Sequence, residues 1–336
     1  MLNIMRNWLC LLCIISCWGC ATKNEVEKHQ SVRDNIFNAC ERVVGIEMED
    51  VLIGGNSCPY ILGDYLMIKD YKSFNEQIHL FDKGSFKYLK STAPVGQGPD
   101  EITVIGHIGI NEPEHKFYVS DHGKQKIFSY DVDSVLSEPF YSPQVKMEMN
   151  KELFPSRYHY INDTLCIGVI IEPTGVSTFK QFTAKWNMKT GEITPLKYNH
   201  PDIEKKRICV AVSVEHEMYV ECNSRYDLMS IFDLNGNLKY NVYGPNWDAR
   251  GDRKHHYSTP LFYKDKIIAL YSGGDYQGKG YAPTGFHVFS LNGEYVKTIN
   301  VGYRILNFCY DKDNDRLVFC FDDEIQFGYL PLEGLI

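Results

Sequence analysis

The hexapeptide Tyr65-Leu66-Met67-Ile68-Lys69-Asp70 decides the reading of this chain, because five related segments recur along it. They are KFYVSD at 116–121, TLCIGV at 164–169, EMYVEC at 217–222, KIIALY at 266–271 and RLVFCF at 316–321. Each follows a polar, turn-like residue: Asp64, His115, Asp163, His216, Asp265 and Asp315, at steps of 51, 48, 53, 49 and 50 residues. A β-rich unit of that length is the size of a four-stranded propeller blade. Six copies predict an all-β fold, a six-bladed β-propeller of four-stranded blades.

A second repeat runs in phase with the first: HLFDKGSF, IFSYDVDS, AKWNMKTGEI, SIFDLNGNL and HVFSLNGEY, each a strand running into a tight turn. Asn235-Gly236 and Asn292-Gly293 predict type I′ hairpins between third and fourth strands, because both residue types tolerate positive φ. The last repeat holds second and third strands at Arg316–Phe321 and Glu324–Leu330, but too little chain follows for a fourth. A strand near Arg42–Met48 is expected to fill that place and close the ring, which removes an exposed sheet edge.

Of the 336 residues, 44% are hydrophobic, which is ample for a core; the net charge of −8 argues against nucleic acid as a partner. The N-terminus reads as an export signal. Arg6 supplies the positive region and WLCLLCII at 8–15 the short apolar one. Ile14-Ile15-Ser16-Cys17 resembles a lipobox, making Cys17 the lipidation site, with Cys20 after Gly19 as the alternative. Cys17-Trp18-Gly19-Cys20 also matches the spacing of a redox CxxC, but lacks the βαβ context such a motif needs. The expected organisation is a signal peptide at 1–16, a polar lipidated tether at 17–40 and the propeller at 41–336, attached to the membrane through the lipid.

Connections between first and second strands and between third and fourth are expected to be short. Those on the opposite face are expected to be long: Ser142 to Tyr158, Lys197 to Arg207, Tyr243 to Tyr257 and Ser272 to Gly285. Binding residues concentrate on loops carried by a rigid scaffold. The candidate partner-binding rim is therefore Arg157, Tyr158, His159, Arg225, Tyr226, Trp247, Arg250, Arg253, His255, His256, Tyr276, Tyr281 and Arg304. Arginine forks and rigid aromatic faces suit carboxylates, sugars or a protein hot spot.

Gly96-Gln97-Gly98-Pro99-Asp100-Glu101 resembles the G-x-G-P-x-E stretch of TolB-like six-bladed propeller lipoproteins of Bacteroidetes, and Tyr243-Gly244-Pro245-Asn246-Trp247 is similar to a second hallmark. The resemblance implies a Gram-negative envelope protein, in the outer membrane, with no established reaction to carry over. Physically, Gly96, Gly98, Pro99, Gly244 and Pro245 suit turns leaving an outer strand, and Glu101 is expected to cap local amides.

No HExxH, C-x-x-C…H-x-x-H, G-x-S-x-G or phosphate-loop pattern is present, so no catalytic residue, metal ligand or cofactor is assigned. The dispersed histidines could form a zinc site only across blades. Arg250-Gly251-Asp252 spells an adhesion tripeptide of low specificity. Cys209 and Cys222 flank one turn symmetrically, and Cys309 and Cys320 another; they read either as cross-strand disulfides or as small buried residues, and direct cross-strand bridges are geometrically awkward. The function expected is a non-enzymatic binding or scaffold module for an envelope protein, peptide or glycan. The alternative is a metal-dependent hydrolase or lyase with its site in the central channel.

Overall fold

A computed structural model of the chain describes residues 26–162, 164–250, 253–278 and 281–336. The signal peptide and the lipidation candidates Cys17 and Cys20 lie outside the described residues.

Six antiparallel sheets follow one another around a central channel. Blade 1 has strands Ser57–Leu62, Tyr65–Asp70, Glu76–Asp82 and Tyr88–Pro94, with Ser57–Leu62 innermost. The innermost strands of blades 2 to 6 are Ile105–Asn111, Phe154–Tyr160, Ile208–Ser213, Lys254–Tyr263 and Ile305–Asp311. The strand period of two explains how the blades pack. Along the hexapeptide, Leu66 and Ile68 meet blade 6 residues Val318 and Phe327, while Met67 meets Phe117 and Val119 of blade 2. Tyr118, on the other side of blade 2, packs with Tyr158 and Trp186 of blade 3. Both faces of each inner sheet are thus buried, so the core is a set of inter-blade layers.

Blade 6 is completed by Val44–Gly45, paired antiparallel with Gly328 and Tyr329, and Ile46 N–H donates to Phe327 O at 2.9 Å. The ring closes as the sequence predicts. The chain ahead of that strand corrects the expected tether. Glu27–His29 adds a parallel fifth strand to blade 4, and Ile36–Asn38 does the same for blade 5. His29 stacks on Tyr243 with ring centroids 4.3 Å apart. Between these strands Arg33 enters the protein and binds the fully buried Asp227 at 2.9 Å, with the rings of Tyr257, Tyr271 and Phe289 around it. Residues 26–40 therefore belt blades 4 to 6.

The Asn-Gly hairpins also depart from expectation. Gly236 (φ 87°) and Gly293 (φ 84°) are left-handed, but Asn235 and Asn292 are not among the positive-φ residues. The register shifts beside each turn, between Ile231 and Phe232 and between Val288 and Phe289. These are type I turns closed by a left-handed glycine, in which a bulge supplies the twist a type I′ turn would have given.

The loop asymmetry is less simple than the sequence suggests. Residues 142–158 hold the outer strand Gln144–Glu148 and most of Phe154–Tyr160. Blade 2 carries helix Val132–Ser137 between its third and fourth strands, on the otherwise short-turn face.

Candidate functional site

The loops that join second to third strands, and one blade to the next, share one face of the disc. Two groups of side chains gather there: a patch over blades 4 and 5, and the mouth of the central channel.

The patch is built on the second-to-third connections of blades 4 and 5. Tyr276 and Tyr281 are 44% and 49% exposed and stack at 6.4 Å, with His255 edge-on to Tyr276 at 5.2 Å. Burial first, then neighbouring His256, holds the His255 pKa below the usual range. Arg207, absent from the sequence-derived rim, lies 4.1 Å over the Phe179 ring. Burial, followed by the like charge of Arg225, lowers its pKa. Arg225 is exposed.

Other rim candidates do different work. Tyr226 and Trp247 pack against Ile203, Leu228 and Tyr243. His256 is buried and lies 3.4 Å from Tyr271 OH. Arg250 pairs with Asp248 at 3.4 Å, and Arg304 with Asp323 at 3.4 Å and Asp322 at 3.6 Å. Arg253 is exposed beside the patch, its carbonyl accepting from Tyr276 N–H at 2.9 Å. Arg157, Tyr158 and His159 are not on a loop at all. They lie on the innermost strand of blade 3, and alternation sends Tyr158 into the core while Arg157 and His159 line the channel.

The hallmark motifs are local scaffolds. Glu101 accepts from Gly98 N–H at 2.6 Å, and a Cβ on Gly96 would fall 1.9 Å from the Glu101 carboxylate. Gly244 lies against Asp227 in the same way: a Cβ would meet its Oδ2 at 2.1 Å. The turns through Pro99 and Pro245 thus wrap around carboxylates, half-buried at Glu101 and fully buried at Asp227. Cys209 and Cys222 are register partners and both are free thiols. Cys309 faces Val318 and Cys320 faces Asn307, so this second pair is not directly opposed.

The channel mouth holds a cavity of about 650 Å³, lined by the innermost strands of the blades. Its walls follow a rule. An inner strand has a free edge, and its carbonyls need donors. Side chains of the preceding blade supply several: Lys69 Nζ to Gly106 O at 2.6 Å, His107 Nε2 to Tyr158 O at 2.8 Å, His159 Nε2 to Val210 O at 2.9 Å, and Asn307 Nδ2 to Ser57 O at 3.1 Å. Burial lowers the pKa of both histidines, strongly for His107. They act as neutral Nε2–H donors.

Lys69 is 1% exposed, and its ammonium lies over the Tyr71 ring at 4.0 Å and the Tyr60 ring at 5.7 Å. Burial pushes its pKa down to about 8. Arg157 reaches into the same cavity and donates to Cys209 Sγ at 3.5 Å. Arg157 is itself exposed, and that neighbour keeps its pKa above the usual guanidinium value. Among the described residues no group of three His, Cys, Asp or Glu side chains is placed to hold a metal, and two fixed cations oppose one in the channel. Sequence reasoning missed Lys69, Tyr60 and Tyr71. The signal was a lysine on the Met67 face of an otherwise buried hexapeptide.

A family model described as a 6-bladed beta-propeller, DUF5128, matches residues 27–159. The fold is a six-bladed β-propeller. A comparison with curated proteins finds no match. Among solved structures, a member of the duf4221 family from Bacteroides vulgatus aligns with a TM-score of 0.56 at 11% identity, covering 86% of this chain and 95% of that one. A protein from Bacteroides fragilis described as exported aligns with 0.54 at 11% identity, over 88% and 87%. The calcium-binding protein regucalcin from Agrobacterium tumefaciens gives 0.53 at 9%, over 88% and 95%. At these identities the likeness is one of fold.

Proposed function

We propose that this chain is a TolB-like propeller lipoprotein, exported and anchored through Cys17 or Cys20 in the outer membrane, that binds an envelope protein, peptide or glycan without catalysis. Export is supported by the N-terminal sequence and is in keeping with the exported Bacteroides fragilis neighbour. No helix among the described residues is long and apolar enough to cross a membrane.

The observation that carries the binding role is the patch on blades 4 and 5. Two half-exposed stacked tyrosines offer apolar ring area, and the nearby guanidiniums donor groups, that a partner can use. Tyr and Arg are the residues that dominate interface energetics, through rigid apolar area and a planar donor fork. A net-positive aromatic patch on a chain of net charge −8 favours a partner bearing carboxylates or acidic sugars.

The test is affinity capture from native envelopes with wild type and an Arg225→Ala/Tyr276→Ala/Tyr281→Ala variant of matched melting temperature. The expected result is a partner retained by wild type and lost by the variant. An identical set on both proteins overturns the assignment of the face.

A further inference from the structure

We infer that the central channel is a second binding site, one for a small organic anion: Lys69 and Arg157 take its carboxylate or phosphate, and Tyr60 and Tyr71 flank the remainder. The site is separate from the blade 4–5 patch and does not depend on a macromolecular partner.

Charge and space point the same way. The cavity of about 650 Å³ has no Asp or Glu in its lining and falls within the roughly 300–1,000 Å³ typical of small-molecule sites. Among the described residues no carboxylate lies within 4.0 Å of the buried Lys69 or of the exposed Arg157, whereas the other buried cations, Arg33, Lys83, Lys206 and Arg316, each have one. A buried cation without a counter-ion is costly and is ordinarily paired. Lys69 has three donors, and the described residues provide one hydrogen bond, to Gly106 O. Lys69 and Arg157 line the same cavity.

The composition sets the ligand class. A guanidinium fork matches the two oxygens of a carboxylate or phosphate, while tyrosine faces accept an apolar or ring-bearing body. A bare metal ion is disfavoured by the same two charges. His107 and His159 are already committed to backbone carbonyls through Nε2 and serve as walls.

Isothermal titration calorimetry with benzoate, phenyl phosphate, inorganic phosphate and neutral benzamide tests this on wild type, Lys69→Met, Arg157→Met and Arg157→Lys. One organic anion is expected to bind at a single site, with benzamide and inorganic phosphate about tenfold or more weaker. Each Met variant should lose about tenfold or more, while Arg157→Lys, which keeps the charge, should retain most binding and controls for folding. The groups facing Lys69 are Cys58, Tyr60, Tyr71, His107, His122 and Arg157. Because Lys69 alone distinguishes wild type from Lys69→Met, wild-type affinity should fall about tenfold from pH 7 to 9.5, and more steeply than that of the variant. Preference for carboxylate over phosphate, or the reverse, identifies which anion the site takes. Equal binding of benzamide, undiminished binding by both Met variants, or no organic-anion binding at millimolar concentration overturns the proposal. The blade 4–5 triple variant should bind the anion like wild type, so failure here is separable from failure of the rim reading.

Discussion

A buried, unpaired lysine should cost stability, and Lys69→Met measures the cost. Burial displaces the Lys69 pKa from 10.5 to about 8. In the folded state the proton is held less tightly than in the unfolded chain, so between these values the unfolded state binds more protons. Stability of the wild type must then rise with pH across that window. At about 1.4 kcal/mol per pH unit, the displacement corresponds to about 3 kcal/mol. Methionine fills nearly the same volume without charge but leaves Gly106 O without its donor, a loss of about 1 kcal/mol. Lys69→Met should therefore be more stable than wild type by about 2 kcal/mol at pH 7 and less stable above pH 10.5. Urea denaturation of both proteins at pH 7, 8.5, 9.5 and 10.5 gives the difference directly, since other titrating groups are common to both. A difference that stays constant across this range would refute the reasoning, because it would mean that Lys69 is neither desolvated nor unpaired.

Arg33→Met should destabilise the protein by about 3–5 kcal/mol in urea, because the Asp227 charge stays buried without its cation; adding Asp227→Asn should recover part of the loss. Were residues 26–40 a free tether, Arg33→Met would be neutral. Gly244→Ala should cost about 1–3 kcal/mol in thermal or urea unfolding, since its Cβ would land 2.1 Å from Asp227 Oδ2. Gly55→Ala, with nothing within 4 Å, should stay within about 0.5 kcal/mol and serves as the comparison.

The blades were legible because the second strand of each is buried on both sides, so its apolar character recurs at a fixed period. Closure by Val44–Gly45 was legible from counting strands. Outer strands carry no such signal. Gln144–Glu148 is exposed at four of its five positions, which is why residues 142–158 read as one loop and why Arg157 and His159 were placed on the rim. The belt formed by residues 26–40 is held by two three-residue parallel pairings and one deeply buried arginine. Polar residues that gain their partners more than 190 positions away look, in sequence, like a tether. Within the patch, Arg225, His255, Tyr276 and Tyr281 were found from loop position, whereas Arg207 was not, because the residues around it, Phe179, Arg225 and Tyr276, come from three different blades. The channel site was hidden for the related reason that Tyr60, Lys69 and Tyr71 of blade 1 meet Arg157 of blade 3, almost ninety residues on, only once the ring is closed.

Photo-crosslinking in intact cells tests the central claim, that the long-loop face over blades 4 and 5 is the partner surface. Benzoylphenylalanine would be placed at position 276, at position 225, and at exposed position 312 on the opposite, short-turn face. The account predicts one discrete adduct from positions 276 and 225 and none from 312. Adducts from 312 alone, or equal adducts from all three, would contradict it.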